Sequence, residues 1–424
     1  MKKVLLVSYR CPPVTCAGSL RVAKMIKYLP EFGWEPYVLG GGSEEDSNPY
    51  IFKPKYFDLF QFGKRVRDTI RSYLRRSDYY NKEDMNIEDI IGKYNSPKGL
   101  WPLSEVRMPD KYMFWIWPAI RLGKKLLKRE KFDLIYSSSG PPSSVIVASI
   151  LQRYARLPWV AEFRDLWSDN HVDRRREFIN KIDSYLENKF LQNCSTLVTV
   201  SGPLKDQLLN RHRKNTYVVY NGYDKDDYPI KVNLTRKLTI TYTGRIYPGK
   251  QDPKPLFEAI TNLSKKGQIN PDFLEISFYG TEQEIIKTLA KRYGIERYVF
   301  WGGLIPHEQA LIKQKESWLL LLLEWNDPSA KGVLTSKLFE YLGAKRPILS
   351  IGYEEGSIRK IITETGIGVV LNNPKDIENF LLLCIERYIK SDRFLGFIPN
   401  EEALASYSRR KAAEKLSRIF FSLI

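Results

Sequence analysis

Short apolar runs, each followed by a turn marked by Gly, Pro or Ser and then by helical periodicity, recur along this 424-residue chain. Lys3-Val-Leu-Leu-Val-Ser8 is the first. Phe132-Asp-Leu-Ile-Tyr-Ser-Ser-Ser139, Pro158-Trp-Val-Ala-Glu-Phe163, Ser195 to Ser201, Leu238 to Thr243, Leu274 to Tyr279, Val299 to Trp301, Leu319 to Leu323 and Ile348 to Ile351 follow. Runs of this length without polar–apolar alternation read as strands buried on both faces. Such strands, alternating with helices, build parallel doubly wound sheets whose ligands bind at the carboxyl ends of the strands. Ser195 to Ser201 reads as the last strand of the first half, and Leu238 restarts the pattern, so two domains are expected.

The opening unit sets the type. After Ser8 comes Cys11-Pro-Pro-Val-Thr-Cys-Ala-Gly18-Ser19, a loop ending in a helix cap. Val22, Met25, Ile26 and Leu29 then recur at helical spacing up to Gly33, and Trp34 to Leu39 is the second strand. No G-x-G-x-x-G is present, which excludes the dinucleotide-binding fingerprint. Arg21 reads as a surface arginine.

Composition excludes several classes. Hydrophobic residues make up 43% of the chain and aromatics 13%, a globular rather than disordered balance. The four cysteines (Cys11, Cys16, Cys194, Cys384) lack paired ligand spacing, and with three histidines a zinc site has poor support. Few cysteines in a long chain fit a reducing cytoplasm. Met1-Lys-Lys-Val-Leu-Leu-Val is too short for a signal peptide, and no stretch approaches the ~20 apolar residues of a membrane span.

Net charge is +18, and it is clustered: Ile51 to Glu130 holds 18 Lys+Arg against 10 Asp+Glu, a net of +8. An anionic surface is the expected partner, unless the charge is only a solvated face. The residues involved include a basic segment at 64–76 and the stretch Lys111-Tyr-Met-Phe-Trp-Ile-Trp-Pro118 to Arg129. Phe114, Trp115 and Trp117 beside the basic helix 121–129 suit either a membrane-surface element or a cap on the first core. No nucleic-acid module is present.

One stretch carries the chemistry: Lys331-Gly-Val-Leu-Thr-Ser-Lys-Leu-Phe-Glu340-Tyr-Leu-Gly-Ala-Lys-Arg-Pro347. Thr335 or Ser336 caps a short helix whose buried side is Leu338, Phe339, Tyr341 and Leu342, and Gly343 is read as its stop. A helix N-terminus with Lys337 in its first turn suits phosphate, and Glu340, one turn on, can accept from sugar hydroxyls. Ser139 and Gly140, then Arg164 and Asp165, stand at the ends of two first-half strands. Arg245 and Lys250 follow Leu238 to Thr243, a fork and a point charge suited to a diphosphate. Structural ion pairs and solvated charges are the plainer readings of these residues.

Lys-Leu-Phe-Glu340-Tyr-Leu resembles the donor-site helix of the group 1 (family 4-like) retaining GT-B glycosyltransferases, and Ser-Ser-Ser-Gly-Pro-Pro with Phe-Arg-Asp-Leu-Trp resembles a subset of them. The resemblance implies an α/β GT-B fold, two Rossmann-like domains facing a cleft with a C-terminal helix crossing back. Residues 1–220 would be the acceptor-side domain, with a basic insertion at about 43–130. Residues 221–405 would bind the nucleotide sugar, and 406–424 would be the returning helix. It further implies that Glu340 holds the ribose, that Gly18, Ser19, Arg245, Lys250, Thr335, Ser336 and Lys337 meet the donor diphosphate, and that Gly303, Leu304 and Ile305 read the base. Asp165 would contact the acceptor hydroxyl as base with Arg164 orienting it, beside Ser139, Gly140 and Trp167. His307 reads as the cap of the helix after it. The family has a second glutamate eight residues before Glu340, where this chain has Gly332; Glu324 and Asp327 are candidate substitutes.

The expected function is therefore hexosyl transfer from a nucleotide sugar to a glycan or lipid-linked acceptor, retaining and metal-independent, in bacterial surface polysaccharide synthesis. No cofactor is expected, no nucleic acid, and a cytoplasmic site that is peripheral on the inner membrane face through residues 64–76 and 121–129. A nucleotide-sugar epimerase of the same fold and a non-catalytic GT-B-like binding protein are the alternatives.

Overall fold

The computed structural model describes the chain apart from residues 14–15, 43–47, 58–68, 70–107, 171–176, 282 and 329–330. The basic segment at 64–76 (Thr69 apart) and most of the expected insertion lie outside the described residues. The described residues divide into two compact units, 1–220 with 409–424, and 221–408.

Unit 1 runs β1 (Lys2–Ser8), α1 (Ala17–Tyr28), β2 (Trp34–Gly40), β3 (Ile51–Phe52), α2 (Ile116–Arg129), β4 (Leu134–Ser139), α3 (Ser143–Ala155), β5 (Trp159–Phe163), α4 (Glu177–Leu191), β6 (Thr196–Thr199), α5 (Gly202–His212) and β7 (Thr216–Val218). Its sheet has the order β3-β2-β1-β4-β5-β6-β7, with every neighbouring pair parallel. Chain direction across the sheet reverses between β1 and β4, which makes their carboxyl ends the switch point. β4 and β5 are buried along their whole length. Val4 and Leu6 join a core with Val22 and Met25 of α1, while Leu5 and Val7 join the opposite core with Trp115, Val145 and Leu151. The C-terminal helix Arg409–Phe421 covers the α1 face: Phe420 stands edge-on to Trp34 at 5.2 Å, and Arg410 pairs with Glu31 at 2.6 Å.

Unit 2 contains β8 (Leu238–Thr243), α6 (Lys254–Lys265), β9 (Leu274–Tyr279), α7 (Gln283–Tyr293), β10 (Val299–Gly303), α8 (His307–Glu316), β11 (Leu319–Leu323), α9 (Ser336–Ala344), β12 (Ile348–Ile351), α10 (Ser357–Thr365), β13 (Gly368–Val370), α11 (Pro374–Ile389) and α12 (Glu401–Ser406). The sheet order is β10-β9-β8-β11-β12-β13, again all parallel, with the switch between β8 and β11. Leu319 to Leu323 are all fully buried, as an unalternated leucine run requires.

Three readings of the residues are corrected, and one left open between two alternatives divides. Ser195 to Ser201 is not the last strand of the first half: β7 follows, and Ser201 caps α5 by accepting from Leu204 N. Gly343 does not stop α9, which ends at Ala344 with Lys345 in the left-handed conformation. The absent side chain instead lets Tyr228 pack against the helix, since a Cβ would sit 2.6 Å from the ring. The aromatic stretch before α2 divides: Trp115 is fully buried and donates to Gly40 O at 2.9 Å, while Trp117 is exposed. Arg21 is no surface residue. It is buried, donates from Nε to Glu162 Oε1 of β5 at 2.8 Å, and from its two terminal nitrogens to Tyr220 O and Val219 O, each at 3.1 Å.

That pair holds α1, β5 and the chain leaving unit 1 with one guanidinium. Removing one member strands a charge without water or counterion. Arg21→Ala or Glu162→Ala is expected to lower stability by about 3–5 kcal/mol, whereas Arg21→Leu with Glu162→Leu recovers most of it. Urea unfolding followed by circular dichroism checks both; equal losses in single and double variants would contradict it.

Candidate functional site

Polar residues in sheets closed on both faces collect at the carboxyl edges of the strands. In unit 2, the edge at β8 and β11 gathers most of the residues singled out in the sequence. Thr335 is the N-cap of α9, its hydroxyl accepting from Lys337 N at 3.4 Å, and Ser336 opens the helix. Lys337 reaches back over the turn after β8, where its Nζ donates to Arg245 O at 3.1 Å and stands 4.9 Å from the Tyr242 ring. This crossing needs Gly244: its φ is +108° and a Cβ would lie 2.6 Å from Lys337 Cε. Burial pushes the Lys337 ammonium down to about 8, with the charge of Glu340 opposing.

Glu340 is braced on both oxygens. Gln314 Nε2 of α8 donates to Oε2 at 3.1 Å and also to Thr243 Oγ1, at the end of β8, at 2.9 Å. Oε1 meets His307 Nε2 at 3.3 Å. The main-chain oxygen of Glu340 accepts from the Tyr228 hydroxyl at 2.6 Å. The glutamate side chain keeps 24% exposure, so it is oriented but open. His307 therefore does not cap α8, whose N-cap Pro306 has no side-chain cap bond. Its ring faces Glu340, and that hydrogen bond, against the cost of burial, raises its pKa above the usual histidine value.

Arg245 and Lys250 are exposed on the turn after β8, each against an aromatic face. The Arg245 guanidinium lies 5.2 Å from the Tyr247 ring and Lys250 Nζ 3.9 Å from the Trp325 ring; the two rings meet edge to face at 6.1 Å. Trp325 was not legible as a site residue, although its place just after the buried β11 and Glu324 is a signal. Glu324 itself is half-buried and accepts from the Ser350 hydroxyl of β12. With no cation partner among the described residues, desolvation lifts its carboxyl to about 8, the Ser350 hydrogen bond opposing. Gly332 is buried, and Asp327 is exposed. Gly303 ends β10 at φ +71° with its oxygen accepting from Gly280 N at 2.8 Å; Leu304 beyond it is 78% exposed and Ile305 half-buried.

In unit 1, Gly18, Ser139, Gly140, Arg164 and Asp165 come together at the edge of β4 and β5. Arg164 Nε donates to Ser139 O and Nη2 to Gly140 O, each at 3.1 Å. Its guanidinium lies against Gly18 in the first turn of α1, where a Cβ would be 2.5 Å from Nη1. Burial lowers the Arg164 pKa, with Glu162 and Asp165 opposing. The hydrogen bonds of Arg164 brace the β4 turn, and Asp165 is exposed beside it. Ser19 is buried in α1. Trp167 is corrected, from a cleft-lining residue to a core one, 5% exposed and donating to Asp183 Oδ1 at 3.1 Å. Ser168 is fastened next to it. Its N and Oγ donate to Glu187 Oε2 at 3.0 and 2.6 Å, His212 Nε2 meets Oε1 at 2.8 Å, and Arg211 reaches Ser168 Oγ and Asp169. This anchor joins residues as far apart as Ser168 and His212 and left no local signal in the sequence.

Residues 89–227 match the family model described as Glycosyltransferase Family 4. No curated protein matches the chain. Among solved structures, HepE of Anabaena in complex with UDP and glucose is similar at 15% identity and a TM-score of 0.58, covering 100% of both chains. Sucrose-phosphate synthase of Thermosynechococcus elongatus has 14% identity and a TM-score of 0.59, covering 100% of this chain and 99% of its own. The apo form of the lipopolysaccharide outer core galactosyltransferase WaaB has 13% identity and a TM-score of 0.55, covering 100% of both. The fold is that of the GT-B proteins.

The buried anchor yields a direct expectation. Glu187→Ala leaves Ser168 and His212 without their acceptor, and stability is expected to fall by about 2–4 kcal/mol. Thermal unfolding measures this; a melting temperature within one degree or so of wild type would show that the anchor carries no weight.

Proposed function

We propose that this Glycosyltransferase Family 4-like chain of GT-B fold transfers a hexose from a nucleotide sugar to a hydroxyl of a glycan or lipid-linked acceptor, in the synthesis of a bacterial surface polysaccharide. One observation carries the reading. A half-open carboxylate, Glu340, is held by Gln314 and His307 at the same strand edge as Lys337, Arg245 and Lys250. A carboxylate fixed on both oxygens suits the two hydroxyls of a ribose, and three cations suit the diphosphate it carries.

In this reading Glu340 binds the ribose. Arg245, Lys250, Lys337 and the free N–H groups at Thr335 and Ser336 take the diphosphate, while main-chain groups of Gly303, Leu304 and Ile305 meet the base. As the sugar–phosphate bond breaks, charge grows on the departing diphosphate, and cations already in place stabilise it without reorganisation. They do the work a divalent ion would otherwise do, so transfer is assigned as metal-independent. On unit 1, Asp165 accepts the proton of the attacking acceptor hydroxyl, and Gly18, Ser139, Gly140 and Arg164 shape the edge around it. Retention of anomeric configuration is assigned on family analogy alone. Neighbours solved with UDP and UDP-glucose make the uridine nucleotides the first donors to try.

A panel of UDP, GDP, ADP and CDP in thermal unfolding tests the donor site, since a ligand of the folded form raises the melting temperature. One nucleotide is expected to stabilise wild type and not Glu340→Ala, and Arg245→Ala is expected to lower turnover by about 100-fold or more. Wild-type turnover in both variants, or loss of activity on adding a chelator, overturns the assignment.

The titrating pair at this edge gives a pH dependence with one sign. Below about 8 Lys337 is charged and Glu324 neutral; above it Lys337 loses its charge and Glu324 gains one. Both changes disfavour an anion. Diphosphate affinity is expected to fall about tenfold between pH 7 and 9, roughly the loss of one charge-assisted hydrogen bond. Lys337→Met binds more weakly throughout and with a shallower slope. Calorimetry across that range decides, and a flat wild-type profile refutes it.

A further inference from the structure

We propose that the outer surface of α2, α3 and α4 is a docking face for anionic lipid headgroups. The proposal rests on side-chain placement within unit 1 and does not depend on the activity proposed above. On α2, Trp117, Arg121, Lys124, Lys125 and Lys128 fall on one stripe by their three- and four-residue spacing, with Ala119, Gly123 and Leu126 buried on the other side. On α4 the stripe is Phe178, Lys181, Tyr185 and Lys189, opposite buried Ile179, Asp183, Glu187 and Leu191. α3 packs against both helices and adds Arg153, Tyr154 and Arg156 at its C-terminal end.

Exposed aromatic area is the first property that identifies the occupant. Trp117 is 70% exposed, Phe178 71%, Tyr185 62% and Tyr154 43%. Rings of this size left in water amid cations match the amphipathic boundary of a bilayer, where the ring enters the headgroup layer and the charge stays at its surface. Two cations already stand over these rings: Lys124 Nζ is 5.0 Å from Tyr154 and Lys189 Nζ is 5.7 Å from Tyr185.

Charge is the second. The acidic residues of the three helices are Glu177, Asp183 and Glu187, of which the last two are buried and Glu177 pairs with Lys181 at 3.0 Å. The surface is therefore of one sign across three helices. A nucleic acid would use the cations, but a fully apolar ring such as Phe178 fits an acyl–headgroup boundary better than a phosphate backbone.

Sedimentation of the full-length protein with vesicles tests the face. Binding is expected to vesicles containing phosphatidylglycerol, to be weak on phosphatidylcholine alone, and to fall as salt rises. Each lost cation weakens partition about fivefold, so Arg121→Ala with Lys125→Ala and Lys128→Ala weakens it about 100-fold. Because a triple variant can lose its fold, its melting curve is compared with wild type. A second measurement uses bromine-labelled lipid, which is expected to quench wild-type tryptophan emission more than that of Trp117→Phe. Equal binding to neutral vesicles, unchanged quenching in Trp117→Phe, or binding to duplex DNA as tight as to anionic vesicles overturns the proposal.

Discussion

A parallel strand covered on both faces has no wet side, and this constraint organises both units. Leu319 to Leu323 can be all leucine because every position of β11 is interior. Polar groups are then confined to the strand ends, or must be satisfied inside at a cost. The carboxyl edges of β8 and β11, and of β4 and β5, hold nearly every residue with chemistry because the rest of each sheet cannot tolerate one. The site follows from the covering of the sheet, as the general rule for open α/β sheets anticipates.

Two carboxylates test that rule from inside, and they resolve it oppositely. Glu162 is fully buried in β5, and Arg21 with the Ser138 hydroxyl satisfies it at 2.8 Å each, so attraction outweighs desolvation and its pKa is lowered. Glu324 lies one residue beyond β11 with a hydroxyl but no cation among the described residues, so desolvation wins and its pKa is raised. Attraction gives a permanent ion pair in one unit, and desolvation gives a carboxyl neutral at neutral pH in the other. The arginine on the packed helix is the main partner that Glu162 has and Glu324 lacks among the described residues.

Strands were legible because an apolar run reports burial locally, and two doubly wound domains followed from their repetition, while the GT-B architecture came with the family resemblance. Glu340 and Lys337 were legible together on one capped helix, while Arg245 joined them through the family resemblance. What the sequence hid was long-range. Arg21 looked like a solvated arginine because its partner is 141 residues away. Gly343 looked like a stop because glycine serves both as a cap and as room for a neighbour, and only Tyr228 tells the two apart. His307 looked like a cap because its true partner, Glu340, is 33 residues on. Trp167 followed a loop motif inward to Asp183, since a large ring next to a buried strand gains more from the core than from water.

Gly332 bears on the charge of the donor edge. Where a second family carboxylate would stand, this chain has a buried glycine. The remaining acids cannot replace its charge equally: Glu324 is protonated below about 8, Asp327 is exposed to water, and Glu340 is shared with His307. Against them stand Lys337, Arg245 and Lys250. Fewer charged carboxylates than cations leave this edge with an uncompensated positive field, strongest where Lys337 is desolvated. Under the proposed reading, that field favours a diphosphate over an uncharged sugar, and favours it more as negative charge grows on the leaving group. Under the same reading, discrimination among sugars would come from shape and neutral groups near β11 rather than from a second carboxylate.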